Sequence, residues 1–125
     1  MATILVVDDH SVSRECTAVL LRAQGYEVLR AANAADALAL LDQCDADLAL
    51  IDVLMPGMNG LQLLKELKRQ KREMPVVLVT GVVDPELSAT GIALGAERVL
   101  VKARFSPDQL LEIVARYLPD NVAVA

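Results

Sequence analysis

The sequence predicts an α/β protein in which five parallel strands form one sheet between two layers of helices. Five short β-rich runs alternate along the chain with five helical patterns. Most of these runs are continuously apolar, as at residues 4–7 and 76–79, and strands that are covered on both faces have this composition. The 125 residues fit one domain of ordinary size. We therefore expect a three-layer (βα)5 sandwich.

The five predicted strands are short, and each is followed by a helical pattern. They are residues 4–8, Glu27–Ala31, Leu48–Asp52, Val76–Thr80 and Arg98–Val101.

The first helix is predicted over residues 11–24, because Gly25 provides a stop signal there. We expect its apolar stripe to face the core. That stripe contains Val12, Cys16, Val19, Leu20 and Ala23. Cys44 also lies in a helical apolar pattern, so both cysteines are interpreted as small buried hydrophobic residues without a chemical role.

Three later helices have clear start signals. Asn59-Gly60 precedes helix three, and Asp84-Pro85 precedes helix four, in which Gly91 is unfavourable by up to about 1 kcal/mol relative to alanine. Helix five follows Ser106-Pro107, where Ser106 and Gln109 have the spacing of a capping box. Its predicted apolar face contains Leu110, Leu111, Val114 and Leu118.

Composition excludes several classes of function. A net charge of -5 and a pI of about 4.7 argue against direct DNA binding. Apolar runs are interrupted well before the roughly 18 residues of a membrane-spanning helix, and the amino terminus has no secretory signal pattern. We expect a cytoplasmic protein with one domain at 1–120, a frayed tail at 121–125 and no room for an output domain.

Polar side chains follow the predicted strands at the points where these end. Asp8 and Asp9 close the first strand, Asp52 closes the third, Thr80 closes the fourth, and Lys102 follows the fifth. Carboxyl ends of parallel strands share one edge of the sheet, where ligands bind. In the order 2-1-3-4-5, strands one and three are neighbours roughly 4.8 Å apart, so their three carboxylates should converge.

Such a cluster of carboxylates favours a bound cation. Two carboxylates about 4 Å apart repel by roughly 4 kcal/mol at an effective dielectric constant of about 20, and all-oxygen ligands suit Mg²⁺. Mg²⁺ takes few protein carboxylates, which leaves Asp52 free to accept a phosphoryl group as an acyl phosphate. Lys102 offers an ammonium and Thr80 a hydroxyl for charge stabilisation.

These residues, together with Leu54-Met55-Pro56-Gly57-Met58-Asn59-Gly60 after Asp52 and with Gly81 after Thr80, resemble the receiver domain of bacterial two-component response regulators. The likeness covers the whole chain, and single-domain chemotaxis regulators are the nearest type. The resemblance implies a flavodoxin-like fold and phosphotransfer from a sensor histidine kinase or a histidine phosphotransfer protein. It further implies a downstream protein target, with a homodimer through helix four, strand five and helix five as one possible assembly.

The resemblance also implies a role for each site residue. Asp52 is the expected phosphoacceptor, Asp9 a direct Mg²⁺ ligand and Asp8 a ligand through water, with Asp52 and the Leu54 carbonyl completing the metal site. The phosphoryl oxygens would be held by Lys102, Thr80 and the amides of Leu54 and Gly81.

Three departures from the family pattern concern the region after strand five. Ala103 follows Lys102 where the family usually has proline, and Arg104 is an extra residue before Phe105. Val99 occupies the place of a common Tyr or Phe. These departures suggest an alternative function, a receiver-like interaction module that works without phosphorylation.

A third hypothesis is a small Mg²⁺-dependent phosphohydrolase, disfavoured because the chain lacks a substrate-covering cap and an evident general acid-base. Each site residue also has a structural interpretation. Asp8 and Asp9 could belong to a turn, Thr80 could satisfy its loop, and Lys102 could lie on the surface. His10 is interpreted as the residue that begins helix one and is left out of the site.

Overall fold

The computed structural model describes residues 2–118, so the predicted tail at 121–125 lies outside the described residues. The strands are β1 (Thr3–Val7), β2 (Glu27–Ala31), β3 (Leu48–Asp52), β4 (Val76–Thr80) and β5 (Arg98–Val101). The helices are α1 (Ser11–Arg22), α2 (Ala34–Gln43), α3 (Gly60–Arg69), α4 (Pro85–Ala93) and α5 (Pro107–Tyr117), with a 3-10 turn at Lys102–Arg104.

The sheet is parallel throughout, and its order is β2-β1-β3-β4-β5, which confirms the predicted topology. Four of the five strands have the predicted bounds, whereas β1 begins and ends one residue earlier, so Asp8 follows the strand. Val7 pairs with Ile51 across β1 and β3. The next residues of these two strands, Asp8 and Asp52, therefore emerge together at the carboxyl edge of the sheet.

The core has two layers, one on each face of the sheet. One layer is formed with α2 and α3 around Leu5, Ile51 and Leu64. The other contains Leu21 of α1 and Val114 of α5 together with Ile4 and Leu50 of the sheet. Because β3 is buried along its whole length, its apolar run is explained by cover on both sides.

The predicted core face of α1 is wrong. Val12 is 75% exposed and Val19 is 64% exposed, whereas the buried residues of the helix are Ala18 and Leu21. The helix packs against the sheet mainly through the small Ala18 and the large Leu21, and of the predicted stripe Leu20 is partly buried against the same core layer. The helix also ends at Arg22, and the chain turns through Gly25 at φ +94°.

The predicted burial of both cysteines is also wrong. Cys16 belongs to the outward stripe of α1 and is exposed. Cys44 is the C-cap residue that follows α2, where the backbone is already extended, and it is exposed as well. Both are free thiols, without a disulfide.

The helix starts agree with the predicted caps. Asn59 and Gln62 form a capping box at α3, Ser106 and Gln109 form another at α5, and Asp84 caps α4 through its side chain. The apolar face of α5 is buried at Leu110, Val114 and Leu118 and partly buried at Leu111.

Two glycines mark places where a helix approaches the sheet closely. A Cβ on Gly60 would lie 2.4 Å from the Asp52 carbonyl oxygen and 2.7 Å from the Val53 Cα. The Gly60 amide donates a hydrogen bond of 2.9 Å to the Val53 carbonyl, which closes the loop between β3 and α3. A Cβ on Gly91 would lie 2.8 Å from Leu78 Cδ1, so the weak helix former in α4 allows that helix to lie near the sheet.

Candidate functional site

An acidic cluster lies at the carboxyl edge of the sheet. Single ligand atoms of Asp8, Asp9, His10 and Asp52 all lie within 4.8 Å of one another. Asp8 is 6% exposed and Asp52 is 4% exposed, although neither residue is apolar. The register of β1 and β3 brings these two carboxylates together, as the sequence indicated.

Both carboxylate oxygens of Asp52 have a donor. The Leu54 amide donates to Oδ1 at 3.2 Å, and the Lys102 ammonium donates to Oδ2 at 3.2 Å. Lys102 Nζ also lies 3.5 Å from Asp8 Oδ2. Lys102 therefore crosses the end of β4 with its long side chain and places a positive charge between two buried carboxylates.

The surroundings move the pKa values of Asp8 and Asp52 in opposite directions. Burial raises the pKa of Asp52 above its ordinary value, and Lys102 offsets this only in part while the charge of Asp8 adds to it. Burial also acts to raise the pKa of Asp8, but hydrogen bonds from Ser13 and the His10 amide, together with the charge of Lys102, outweigh it and lower that pKa. Asp52 is therefore the carboxyl group for which ionisation in the folded protein is less favourable.

Asp9 and His10 complete the cluster. Asp9 Oδ1 is buried and accepts no hydrogen bond from residues 2–118, although its side chain is 24% exposed. His10 is the N-cap residue of α1, as predicted, and its amide donates to Asp8 Oδ1 at 2.9 Å. Its ring Nδ1 lies 3.2 Å from Asp9 Oδ1. Sequence reasoning omitted His10, and the available signal was its position directly after the acidic pair.

The predicted phosphoryl-binding residues lie around Asp52 in different settings. Thr80 is fully buried, and its Oγ1 accepts a hydrogen bond of 3.2 Å from the Val82 amide. The hydroxyl thus satisfies its own loop, as the structural interpretation allowed. Gly81 is exposed, and a Cβ there would meet nothing within 4 Å. Leu54 is 51% exposed, and its amide already faces Asp52.

A cavity of about 240 Å³ extends from Asp8, Asp52 and Lys102 towards α1 and α5. Its other walls are largely apolar and include Leu50 and Phe105. Apolar walls offer few polar groups to solvate the carboxylates, in agreement with burial as the largest single upward influence on both pKa values.

The segment after β5 shows how the chain accommodates its unusual residues. Lys102, Ala103 and Arg104 form the 3-10 turn, and the peptide bonds among the described residues are all trans. Phe105 then returns to pack against the α1 and α5 side of the core. The extra residue is absorbed by the turn, and Lys102 still reaches Asp52.

This fold and site define a class of protein, the α/β domains with an acidic site at the carboxyl edge of a doubly wound parallel sheet. Residues 4–115 match the response regulator receiver domain, and the chain belongs to that family.

Solved structures agree with this assignment. The chemotaxis protein CheY4 of Vibrio cholerae is 35% identical with a TM-score of 0.87, and the match covers 94% of this chain and 98% of that one. The receiver domain of the Francisella response regulator 1452 is 27% identical with a TM-score of 0.89, covering 96% and 98%. The predicted flavodoxin-like fold is confirmed.

Relatives found by sequence are longer proteins. The phosphate regulon transcriptional regulatory protein PhoB of Pseudomonas aeruginosa is 36% identical over 111 residues, which cover 87% of this chain and 48% of the relative. The sensory transduction protein RegX3 of Mycobacterium tuberculosis is 34% identical over 117 residues, covering 93% and 49%. The chain thus spans about half the length of these regulators.

Receiver domains bind Mg²⁺ in an acidic pocket, and the residues present here fit such an ion. Three carboxylates converge within 4.8 Å, and the buried Asp9 Oδ1 has no hydrogen-bond donor among residues 2–118. An oxygen in that situation is costly unless a cation or water is near it. The donor set is oxygen-rich, which is what a hard divalent ion requires.

No helix within residues 2–118 is both long enough and apolar enough to cross a membrane.

Proposed function

We propose that this receiver accepts a phosphoryl group on Asp52 from the phosphohistidine of a sensor histidine kinase or a histidine phosphotransfer protein. The observation that supports this most strongly is the pairing of a buried Asp52 carboxylate with the Lys102 ammonium beside Asp8 and Asp9. The phosphorylated protein would then act through a protein target. Its domain limits at 1–120, a stand-alone architecture and a cytoplasmic location stay predictions.

In the proposed reaction, a carboxylate oxygen of Asp52 forms a bond to phosphorus while the nitrogen–phosphorus bond of the donor breaks. The leaving imidazole keeps the electron pair of that bond and takes up a proton. Leu54 N–H and Lys102 Nζ already contact the two Asp52 oxygens and would fix the orientation of the nucleophile.

Lys102 would also neutralise charge on the phosphoryl oxygens, because its ammonium lies between Asp52 and Asp8. Asp8, Asp9, Asp52 and the Leu54 carbonyl would hold Mg²⁺. When bound, that ion supplies positive charge to the carboxylates and the phosphoryl oxygens. For Thr80, a role towards the phosphoryl group requires its hydroxyl to leave the Val82 amide.

Incubation with acetyl phosphate tests the proposal. With Mg²⁺ present, the intact protein should gain the mass of one phosphoryl group, and hydroxylamine should remove it because acyl phosphates are labile to that reagent. With a chelator in place of Mg²⁺, the gain should be lost. A gain that is independent of Mg²⁺ or stable to hydroxylamine would contradict the proposal.

Partner binding and phosphate-ester turnover, measured beside the intact mass, separate the alternative functions. An interaction module that works without phosphorylation would acquire no phosphoryl group and would bind its partner equally well as the Asp52→Asn variant. A phosphohydrolase would turn over a phosphate ester repeatedly.

The phosphoryl group on Asp52 should be long-lived, because Leu54 and Val82 are exposed apolar residues near Asp52 and Thr80. They are 51% and 43% exposed and offer no polar group to an attacking water. We expect Leu54→Asn or Val82→Glu to shorten the phosphoryl half-life by about tenfold, since positioned polar groups accelerate such reactions by larger factors in enzymes. Loss of the added mass over time gives the half-life.

The matched control is Val83→Glu, one residue further along and 58% exposed. Its half-life should equal that of the parent protein. If all three variants keep the parent half-life, the apolar side chains do not set the lifetime.

A further inference from the structure

We propose that His10 is a direct ligand, through Nδ1, of the cation held by the acidic cluster, and that it shifts the preference of this site from Mg²⁺ towards nitrogen-binding ions such as Zn²⁺. The inference rests on the proposed function in one respect, namely that Asp8, Asp9 and Asp52 hold a divalent cation. It concerns which ion they hold.

The backbone holds His10 close to the carboxylates. His10 is the N-cap residue of α1, and its amide donates to Asp8 Oδ1 at 2.9 Å. Its side chain forms no capping hydrogen bond with the helix. The ring is therefore not required for the helix start and is free to serve the cluster.

Ring and carboxylate atoms have the separations of neighbouring ligands on one ion. Nδ1 lies 3.2 Å from Asp9 Oδ1 and 3.6 Å from Asp8 Oδ1. With bonds of about 2.1 Å, adjacent ligands are roughly 3.0 Å apart at the right angles of Mg²⁺ and roughly 3.4 Å apart at the tetrahedral angles of Zn²⁺. The observed distances are close to these values, so small ring movements suffice for coordination.

The approach of His10 to Asp9 is not a hydrogen bond. Asp9 Oδ1 is buried and accepts no hydrogen bond within the described part of the chain, although Nδ1 is its neighbour at 3.2 Å. The ring N–H direction thus does not point at this oxygen. Since the two atoms are 3.2 Å apart and do not bond to each other, both remain available to contact one ion.

Lys102 leaves open the side of the cluster at which His10 lies. Its ammonium contacts Oδ2 of Asp8 and Oδ2 of Asp52, whereas His10 and its amide lie against Oδ1 of Asp8. The imidazole is 71% exposed, which gives an ion a route from solvent.

The kinds of ligand atom at the site determine whether it prefers Zn²⁺ or Mg²⁺. Mg²⁺ selects oxygen ligands, so an imidazole adds little to its binding. Zn²⁺ binds imidazole well and stands higher in the general affinity order of divalent ions. A site with three carboxylates and one imidazole should therefore gain affinity for Zn²⁺ specifically through His10.

Calorimetric titration of the full chain with Zn²⁺ and, separately, with Mg²⁺ tests this proposal without any phosphodonor. Both proteins compared should carry Cys16→Ser and Cys44→Ser, because these exposed thiols also bind Zn²⁺. Adding His10→Ala should weaken Zn²⁺ binding by about tenfold or more and change Mg²⁺ binding by less than about twofold. Equal Zn²⁺ affinities, an equal loss for both ions, or no Zn²⁺ binding by the parent would overturn the proposal.

A second measurement identifies the ligand atom. His10 is the only histidine of the chain, so a ¹⁵N-histidine spectrum reports this residue alone. Zn²⁺ should shift the Nδ1 resonance and fix the tautomer with the proton on Nε2, whereas an Nδ1–H tautomer in the Zn²⁺ form would refute the assignment.

The phosphoacceptor function of Asp52 and the metal-ligand role of His10 can be refuted independently of each other. A protein that takes no phosphoryl group but loses Zn²⁺ affinity on His10→Ala refutes the phosphoacceptor function and leaves the ligand assignment intact. The Asp9→Asn variant should bind both Zn²⁺ and Mg²⁺ more weakly than the parent, which would verify that the titrated site is the acidic cluster.

Discussion

In the Asp52→Asn variant, acetyl phosphate and Mg²⁺ should add no phosphoryl group at all. The amide retains the size of the side chain but has no nucleophilic carboxylate. Intact mass measures the outcome, and Asp45→Asn, at an exposed aspartate, is the matched control that should still gain one group. A phosphoryl group that persists in Asp52→Asn would move the acceptor to another residue.

The same substitution should raise the free energy of unfolding in metal-free buffer at neutral pH by about 1–2 kcal/mol. Asp52 is buried beside Asp8, and burial with this neighbouring charge raises its pKa. A carboxyl whose folded pKa is raised ionises more readily in the unfolded chain, so stability is lost as pH rises from the ordinary value of 3.8 through the folded pKa. Lys102 keeps Asp8 as a partner after the substitution.

Urea unfolding as a function of pH checks whether Asp52→Asn is more or less stable than the parent protein. The advantage of Asp52→Asn should be largest at neutral pH and should vanish below the ordinary carboxyl pKa, where both states of the parent are protonated. A variant that is less stable than the parent at neutral pH would show that the Lys102 contact outweighs burial and repulsion.

Gly60→Ala should lower the free energy of unfolding by about 3 kcal/mol or more. The added Cβ would lie 2.4 Å from the Asp52 carbonyl oxygen and 2.7 Å from the Val53 Cα, and backbone atoms cannot move aside as a flexible side chain can. Helix propensity alone predicts the opposite sign, a gain of about 1 kcal/mol, because Gly60 begins α3. The measured sign therefore decides between the two effects.

Gly81→Ala is the matched control for this experiment. A Cβ at Gly81 meets nothing within 4 Å, so the change should leave urea unfolding nearly unaltered or slightly stabilise the protein by reducing the freedom of the unfolded chain. If Gly60→Ala unfolds at the same urea concentration as Gly81→Ala, the close contact of α3 with β3 is not a constraint.

Much of the fold could be predicted because its signals are local. The apolar runs of β3 and β4 are long enough to mark strands covered on both sides, and Asn59 and Ser106 have the spacing of helix caps. The orientation of α1 could not be predicted. Two stripes of the helix have the same period, and only packing against the sheet selects the one with Leu21.

The convergence of the site residues could also be predicted from the sequence, whereas their roles stay predictions. Parallel strands end at one edge, so the meeting of Asp8 with Asp52 follows from topology, and the reach of Lys102 follows from its length. The direction of the His10 ring and the hydrogen bond of Thr80 depend on loop conformations that a sequence pattern does not specify. His10 precedes α1, and Thr80 is the last residue of β4 with its hydroxyl bonded into the following loop. Periodicity gives no information about such loop contacts.

The hydrogen bond between Gly60 and Val53 has an evolutionary consequence. It ties together the two ends of the segment at residues 54–59, so the strand and the helix are anchored to each other independently of what lies between them. Substitutions at the outer residues Met58 and Leu54, which are 40% and 51% exposed, can then accumulate without displacing the acidic residue at the strand end. Side chains in this segment can therefore be exchanged to tune the lifetime of the proposed phosphoryl group or the surface offered to a partner.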